Sequence, residues 1–144
     1  MPLAKIAPNS PFRFFIAENS MPDSAVDIQV ESQFLPEQSV PEQQRFAFAY
    51  TITIRNTGDE AVRLLNRHWI ITDGDNQVQE VQGEGVIGKQ PLIPPGESFS
   101  YTSGAVIDTA VGTMEGSYEM ISASGRPFIA PIGIFSLVRP SALH

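Results

Sequence analysis

From Phe46 to Ile54 large apolar side chains fall on every second position: Phe46, Phe48, Tyr50, Ile52 and Ile54, with Ala47, Ala49, Thr51 and Thr53 between them. A period of two is that of a strand, whose successive side chains point to opposite faces. The intervening residues are small or β-branched, so both faces can pack closely. The segment is predicted to lie in the middle of a sheet with its aromatic face in the core. The same alternation appears earlier, where Val26, Ile28 and Val30 interleave with Asp27, Gln29 and Glu31 before Phe34 and Leu35 end the run. A polar, proline-flanked connection separates the two.

A third strand is predicted over Val62–Thr72. Strict alternation puts Leu65, Arg67, Trp69 and Ile71 on one face and Leu64, Asn66, His68 and Ile70 on the other. Asp73-Gly74-Asp75-Asn76 is a turn, and Gln77–Val81 returns as the fourth strand of a hairpin. Gly83–Gly96 is rich in Gly and Pro, has no regular period and is predicted as a loop. Phe99 and Tyr101 alternate with Ser98, Ser100 and Thr102 in a fifth strand, and Gly104–Gly112 reads as another loop. Met114, Gly116, Tyr118 and Met120 mark a sixth. The last, Phe128–Val138, is interrupted by Pro131 and Gly133, which predicts an edge position or a bulge. About seven strands and no helical period indicate an all-β chain, an antiparallel β-sandwich or barrel. The single Trp in the third strand is like the core Trp of immunoglobulin-like sandwiches. Residues 1–24, with Pro2, Pro8, Pro11 and Pro22, read as a partly mobile leader, leaving 25–144 as the domain.

Composition narrows the function classes. The 144 residues suffice for one domain, and 42% hydrophobic against 17% charged residues is a globular balance. Sixteen acidic residues against nine basic ones give a net charge of -7. That argues against nucleic acid, whose phosphates are held by clustered Lys and Arg. The absence of Cys excludes disulfides, thiolate zinc sites and cysteine nucleophiles. No apolar stretch approaches the roughly 20 residues of a membrane helix, and no signal peptide is evident, so a soluble, intracellular protein without membrane insertion is expected.

The candidate chemistry lies between Asn66 and Gly96. Gly83-Glu84-Gly85-Val86-Ile87-Gly88 matches the dinucleotide fingerprint as text, but that motif works by opening a helix onto a pyrophosphate. Pro91, Pro94 and Pro95 forbid a helix here. What remains is a glycine loop whose amides could form an anion nest, or glycines that simply let the chain turn sharply. Asp73 and Asp75 begin like a calcium loop, yet Val78 stands where its essential Gly belongs, so an acidic hairpin turn fits better. Arg67 and His68 adjoin this region. A lone His beside Trp69 is expected to be structural, the other histidine being the terminal His144. Ser103, Thr113 and Ser117 offer hydroxyls, none in a nucleophile elbow, and enzyme activity is not expected. Val86, Ile87, Leu92 and Ile93 are expected either to be exposed for a partner or to close one end of the core.

Arg67-His68-Trp69-Ile70-Ile71-Thr72-Asp73, the Gly83–Gly88 motif, Pro94-Pro95-Gly96, Tyr101-Thr102-Ser103-Gly104 and Gly112-Thr113-Met114-Glu115-Gly116-Ser117-Tyr118 together resemble the ApaG (CorD) family. Leu35-Pro36-Glu37-Gln38-Ser39 and Phe48–Ile54 belong to the same pattern, which covers about residues 25–144. Ala105 departs from it, replacing a Cys or Thr. The resemblance implies a fibronectin type III-like sandwich in a bacterial cytoplasmic protein, linked in enterobacterial relatives to cobalt resistance and magnesium efflux. Related domains in eukaryotic proteins look like protein-binding modules. The family offers no established catalytic residues to carry over. The expected function is therefore a non-enzymatic module for protein–protein interaction, without a cofactor and with a homodimer left open. Its candidate site is Arg67, His68, Gly83, Glu84, Gly85, Val86, Ile87 and Gly88. The alternative is a direct binder of a divalent cation or a phosphate-containing ligand through the Gly-rich loop and the acidic turn of Asp73 and Asp75.

Overall fold

Eight antiparallel strands form two sheets in the computed structural model, which describes residues 25–140. The expected leader and His144 lie outside the described residues. The strands are β1 (Val26–Phe34), β2 (Phe46–Asn56), β3 (Val62–Asp73), β4 (Val78–Glu84), β5 (Leu92–Ile93), β6 (Ser98–Ile107), β7 (Val111–Ser122) and β8 (Pro127–Val138). One sheet has the order β1-β2-β6, and the other β4-β3-β7-β8, with β5 added to the start of β3. The inner faces close on one core that includes Phe48, Ile52, Ile54, Leu64, Trp69, Tyr118, Met120 and Leu137. Of the two all-β architectures left open, the sandwich is the one adopted.

The strand with the cleanest alternation sits where its pattern puts it. β2 pairs with β1 on one side and β6 on the other, and Phe46, Phe48, Tyr50, Ile52 and Ile54 are all buried. β8 is both an edge strand and bulged: Gly116 faces Ile132 and Met114 faces Phe135, so Gly133 and Ile134 together oppose Glu115.

Three expectations need correction. β6 does not stop at Thr102; it runs through the expected Gly104 loop to Ile107, because β2 continues beside it and pairs Phe48 with Ala105 and Phe46 with Ile107. The stretch from Gly83 to Gly96 is not all loop, since β4 extends to Glu84 and Leu92–Ile93 pair with Arg63 and Val62. This short addition makes the eighth strand. Finally, strict alternation along β3 fails at Leu65. Leu64 pairs with Met120 and Asn66 with Glu119, so Leu65 is the extra residue of a β-bulge. A one-residue slip exchanges the faces of everything beyond it. Val62 and Leu64 thus share the inner face with Arg67, Trp69 and Ile71.

Asn56 ties the end of β2 to this region. Its Nδ2 donates to the carbonyls of Glu60 (2.7 Å) and Ile93 (2.9 Å), and its Oδ1 accepts from the Gly58 amide at 2.9 Å. A buried amide is tolerated because both its ends are matched.

Candidate functional site

The bulge at Leu65 builds the site. A bulged residue leaves the ladder, and the Leu65 carbonyl instead accepts the Gly85 amide (2.8 Å) and the Gln90 side-chain amide (3.0 Å). Arg63 reaches the Gln90 carbonyl at 2.8 Å, and the Leu64 amide reaches Pro91. The excursion between β4 and β5 is therefore fastened along β3 at both ends.

Arg67, turned inward by the bulge, supports the same excursion from below. Its guanidinium donates to the carbonyls of Gly85 (2.9 Å) and Glu84 (3.2 Å). It occupies the space a side chain at position 83 would need, since a Cβ there would lie 2.7 Å from the guanidinium. Position 85 is more restrictive: φ is +65°, and a Cβ would lie 2.2 Å from the Lys89 carbonyl oxygen. The first two glycines of the motif thus serve packing and turn geometry. The Val86 and Lys89 backbones then bond each other in both directions, at 2.8 and 2.9 Å. Ile87 and Gly88 form the two-residue tip, with φ of 44° and 78°. Both central residues at positive φ is the requirement of a type I′ turn, where Asn-Gly is usual. Of the five amides from Gly85 to Lys89, those of Gly85, Val86 and Lys89 already donate within the chain. Three of the five amides that an anion nest would use are thus already committed.

The expectation of exposed apolar loop residues holds for Ile87 and Leu92, which are 55% and 53% exposed. It fails for Val86 (0%) and Ile93 (2%), which are core residues. The first seats under the turn; the second pairs with Val62. Both readings of this stretch were right in part, because alternate residues face opposite ways.

His68 lies on the opposite face of β3 from Arg67. Its Nε2 meets Glu80 Oε2 at 2.7 Å across the β3–β4 pair, at the surface. Ser117 stands across from it on β7, and both line a groove of about 520 Å³ that also brings together Arg67, Gly83 and Glu84 of the expected site, with Asn66, Gln82, Glu119 and Ile129 around them. The imidazole is engaged by the carboxylate and not by that hydroxyl. Thr113 sits farther along β7, opposite Thr72. Asp73 closes the hairpin turn, its Oδ1 accepting the amides of Asp75 (2.8 Å) and Gln77 (2.9 Å). Among the described residues no three His, Asp or Glu side chains gather as a metal site requires, and no helix is long and apolar enough to cross a membrane.

One set of polar groups escaped the sequence reading. Tyr50, Trp69, Tyr101 and Ser103, with Arg67 and the turn residues Val86, Ile87 and Gly88, line a cavity of about 230 Å³ between β6 and the turn. Tyr101 and Tyr118 share a hydroxyl–hydroxyl hydrogen bond beside it. Burial pushes the Tyr101 hydroxyl up to about 12 and Tyr118 well above the usual tyrosine range; the Arg67 charge opposes both shifts without offsetting them. Both hydroxyls keep their protons at any ordinary pH. The available signal was tyrosine at three positions of phenylalanine-like alternation, a polar tip on an inward side chain.

With this architecture in hand, comparison with known proteins places the chain. A family model described as the ApaG domain matches residues 36–122. The chain belongs to the ApaG family. Protein ApaG of Pseudomonas paraeruginosa is 57% identical over 119 residues, covering 83% of this chain and 94% of that one. The protein of that name from Azotobacter vinelandii is 55% identical over 125 residues, covering 87% and 99%. A crystal structure of a Bordetella pertussis protein superposes with a TM-score of 0.78 at 50% identity, covering 80% of this chain and 94% of that one. The ApaG match spans the bulge, Arg67, the turn and the cavity tyrosines alike.

Proposed function

We propose that this ApaG-family chain is a non-enzymatic, cytoplasmic protein-binding module that docks its partner through the turn between β4 and β5. Ile87 carries the reading. It is a large β-branched side chain, more than half exposed, at a positive φ that Asn or Gly adopts far more easily. Neither its exposure nor its backbone serves the fold, and strain of this kind is retained where a contact depends on it. Leu92, on the same excursion, adds a second exposed apolar group. The hydrogen bonds to Leu65, Gln90, Glu84 and Gly85 hold the turn in one shape, so little ordering entropy is lost on docking.

A cation or phosphate ligand held by the acidic turn and the glycine loop is not favoured. Asp73 is committed to the turn, and three loop amides are committed to the chain. The part in cobalt resistance and magnesium efflux that the family resemblance implies then runs through a partner, not through an ion on this chain.

Affinity capture with cross-linking from bacterial extracts tests the surface. The parent chain is expected to retain a specific partner that Ile87→Asn and Leu92→Asp each retain at least about tenfold less, the scale of an interface hot spot. Undiminished capture of every specific partner by both variants would contradict the reading. Sedimentation of the same proteins separates a second copy of this chain from another protein.

A further inference from the structure

The cavity beneath the turn is lined by hydrogen-bond donors in excess. Core-facing rows are normally apolar, and a polar side chain there without a role is a fault in a fold. Two such residues meet here from opposite sheets: Arg67 on β3, and Ser103, which pairs with Tyr50, on β6. The proton inventory is one-sided. The Trp69 indole Nε1, buried, has no hydrogen-bond partner. An indole N–H and a guanidinium can only donate. Tyr101 and Tyr118 bridge with one hydroxyl hydrogen, which leaves the other hydrogen of the pair available. No carboxylate lines the space. At about 230 Å³ the cavity is below the usual range of nucleotide-sized pockets and roomy enough for a carboxylate or a phosphate group.

We propose that this cavity binds a small oxyanion, a carboxylate or phosphate group, received by the Trp69 indole N–H, the hydroxyls of Tyr50, Tyr101 and Ser103, and the Arg67 charge. The site differs from the glycine-loop nest: the turn is its cover, and the donors are side chains of β2, β3 and β6. It adjoins the docking surface and shares Ile87 with it, but its proposed donors are all side chains beneath the turn. The chain's net charge of -7 opposes the approach of any anion, so the titration has to reach high ion concentrations.

Trp69 is the only Trp in the sequence, so its indole N–H gives one isolated NMR signal. The 15N-labelled full chain is titrated with inorganic phosphate and with acetate, with chloride at matched ionic strength as control. A saturable shift of the indole signal is expected with at least one oxyanion and not with chloride. Tyr50→Phe and Ser103→Ala, which keep the packing, should each weaken it about tenfold, the effect of one hydrogen bond to a charged acceptor. A short acidic peptide identifies the source: tighter binding than acetate assigns the site to a carboxylate on a partner, and equal or weaker binding assigns it to a free anion. The proposal is overturned if neither ion gives a saturable shift, if chloride reproduces it, or if both folded variants bind as the parent does.

Discussion

Asn56→Ala is expected to lower the unfolding free energy by about 3 kcal/mol, seen in urea denaturation as a reduced midpoint with little change in slope. The residue is fully buried and makes three hydrogen bonds, to the carbonyls of Glu60 and Ile93 and from the Gly58 amide. Alanine removes all three while leaving the backbone groups in place. Each buried group left unmatched costs about 1–3 kcal/mol, less where water enters. The loss is a sizeable part of the roughly 5–15 kcal/mol that stabilises a domain. Because Ile93 belongs to β5, amide exchange should accelerate first at Ile93 and Leu92. A loss under about 1 kcal/mol would show that the three bonds do not fasten β5 to β2.

Gly85→Ala should have an effect of similar size with a more local signature. The new Cβ would lie 2.2 Å from the Lys89 carbonyl oxygen, and φ would remain at +65°. The left-handed conformation alone costs about 1–2 kcal/mol for a residue with a Cβ. The collision adds to that until the Val86–Lys89 pairing opens. Stability should fall by about 2–4 kcal/mol, with exchange protection lost at Val86 and Lys89. By contrast, β2 and β7 should keep their relative protection. An unchanged melting temperature would contradict the account of this glycine.

The sequence pattern made the sheets legible because their inner faces are apolar at period two. β2 and β8 even revealed their positions within a sheet, through small intervening residues in one and Pro131 and Gly133 in the other. Alternation already set Arg67 beside Trp69 and Ile71, with His68 on the other face. The bulge was not legible. Leu64 and Leu65 are both leucine, so nothing in the alternation marks which is the extra residue, and only pairing with Met120 and Glu119 decides it. That single bulge brings Val62 and Leu64 onto the face of Arg67 in place of Leu65. The prolines after the glycine motif exclude a helix there, and the chain turns back into β5 instead. The motif's split into buried Val86 and exposed Ile87 depended on the Leu65 carbonyl, a backbone group without a sequence signature. The cavity was hidden for a related reason. Tyr50, Tyr101 and Tyr118 satisfy the alternation as core residues, and only the fold brings Tyr50 and Tyr101 together with Arg67 and Ser103.

The turn itself offers the sharpest test, the thermal stability of Ile87→Asn. Ile87 is slightly less than half buried, so losing its packing costs about 1 kcal/mol. Relief of a β-branched residue from positive φ returns about 1–3 kcal/mol. If Ile87 is kept for contact and not for the fold, the variant should melt at the parent's temperature or a few degrees higher, about 4 °C for each kcal/mol gained, while losing its partner. A variant that melts well below the parent would place Ile87 among the residues that hold the sandwich together, and would contradict a docking role for the turn.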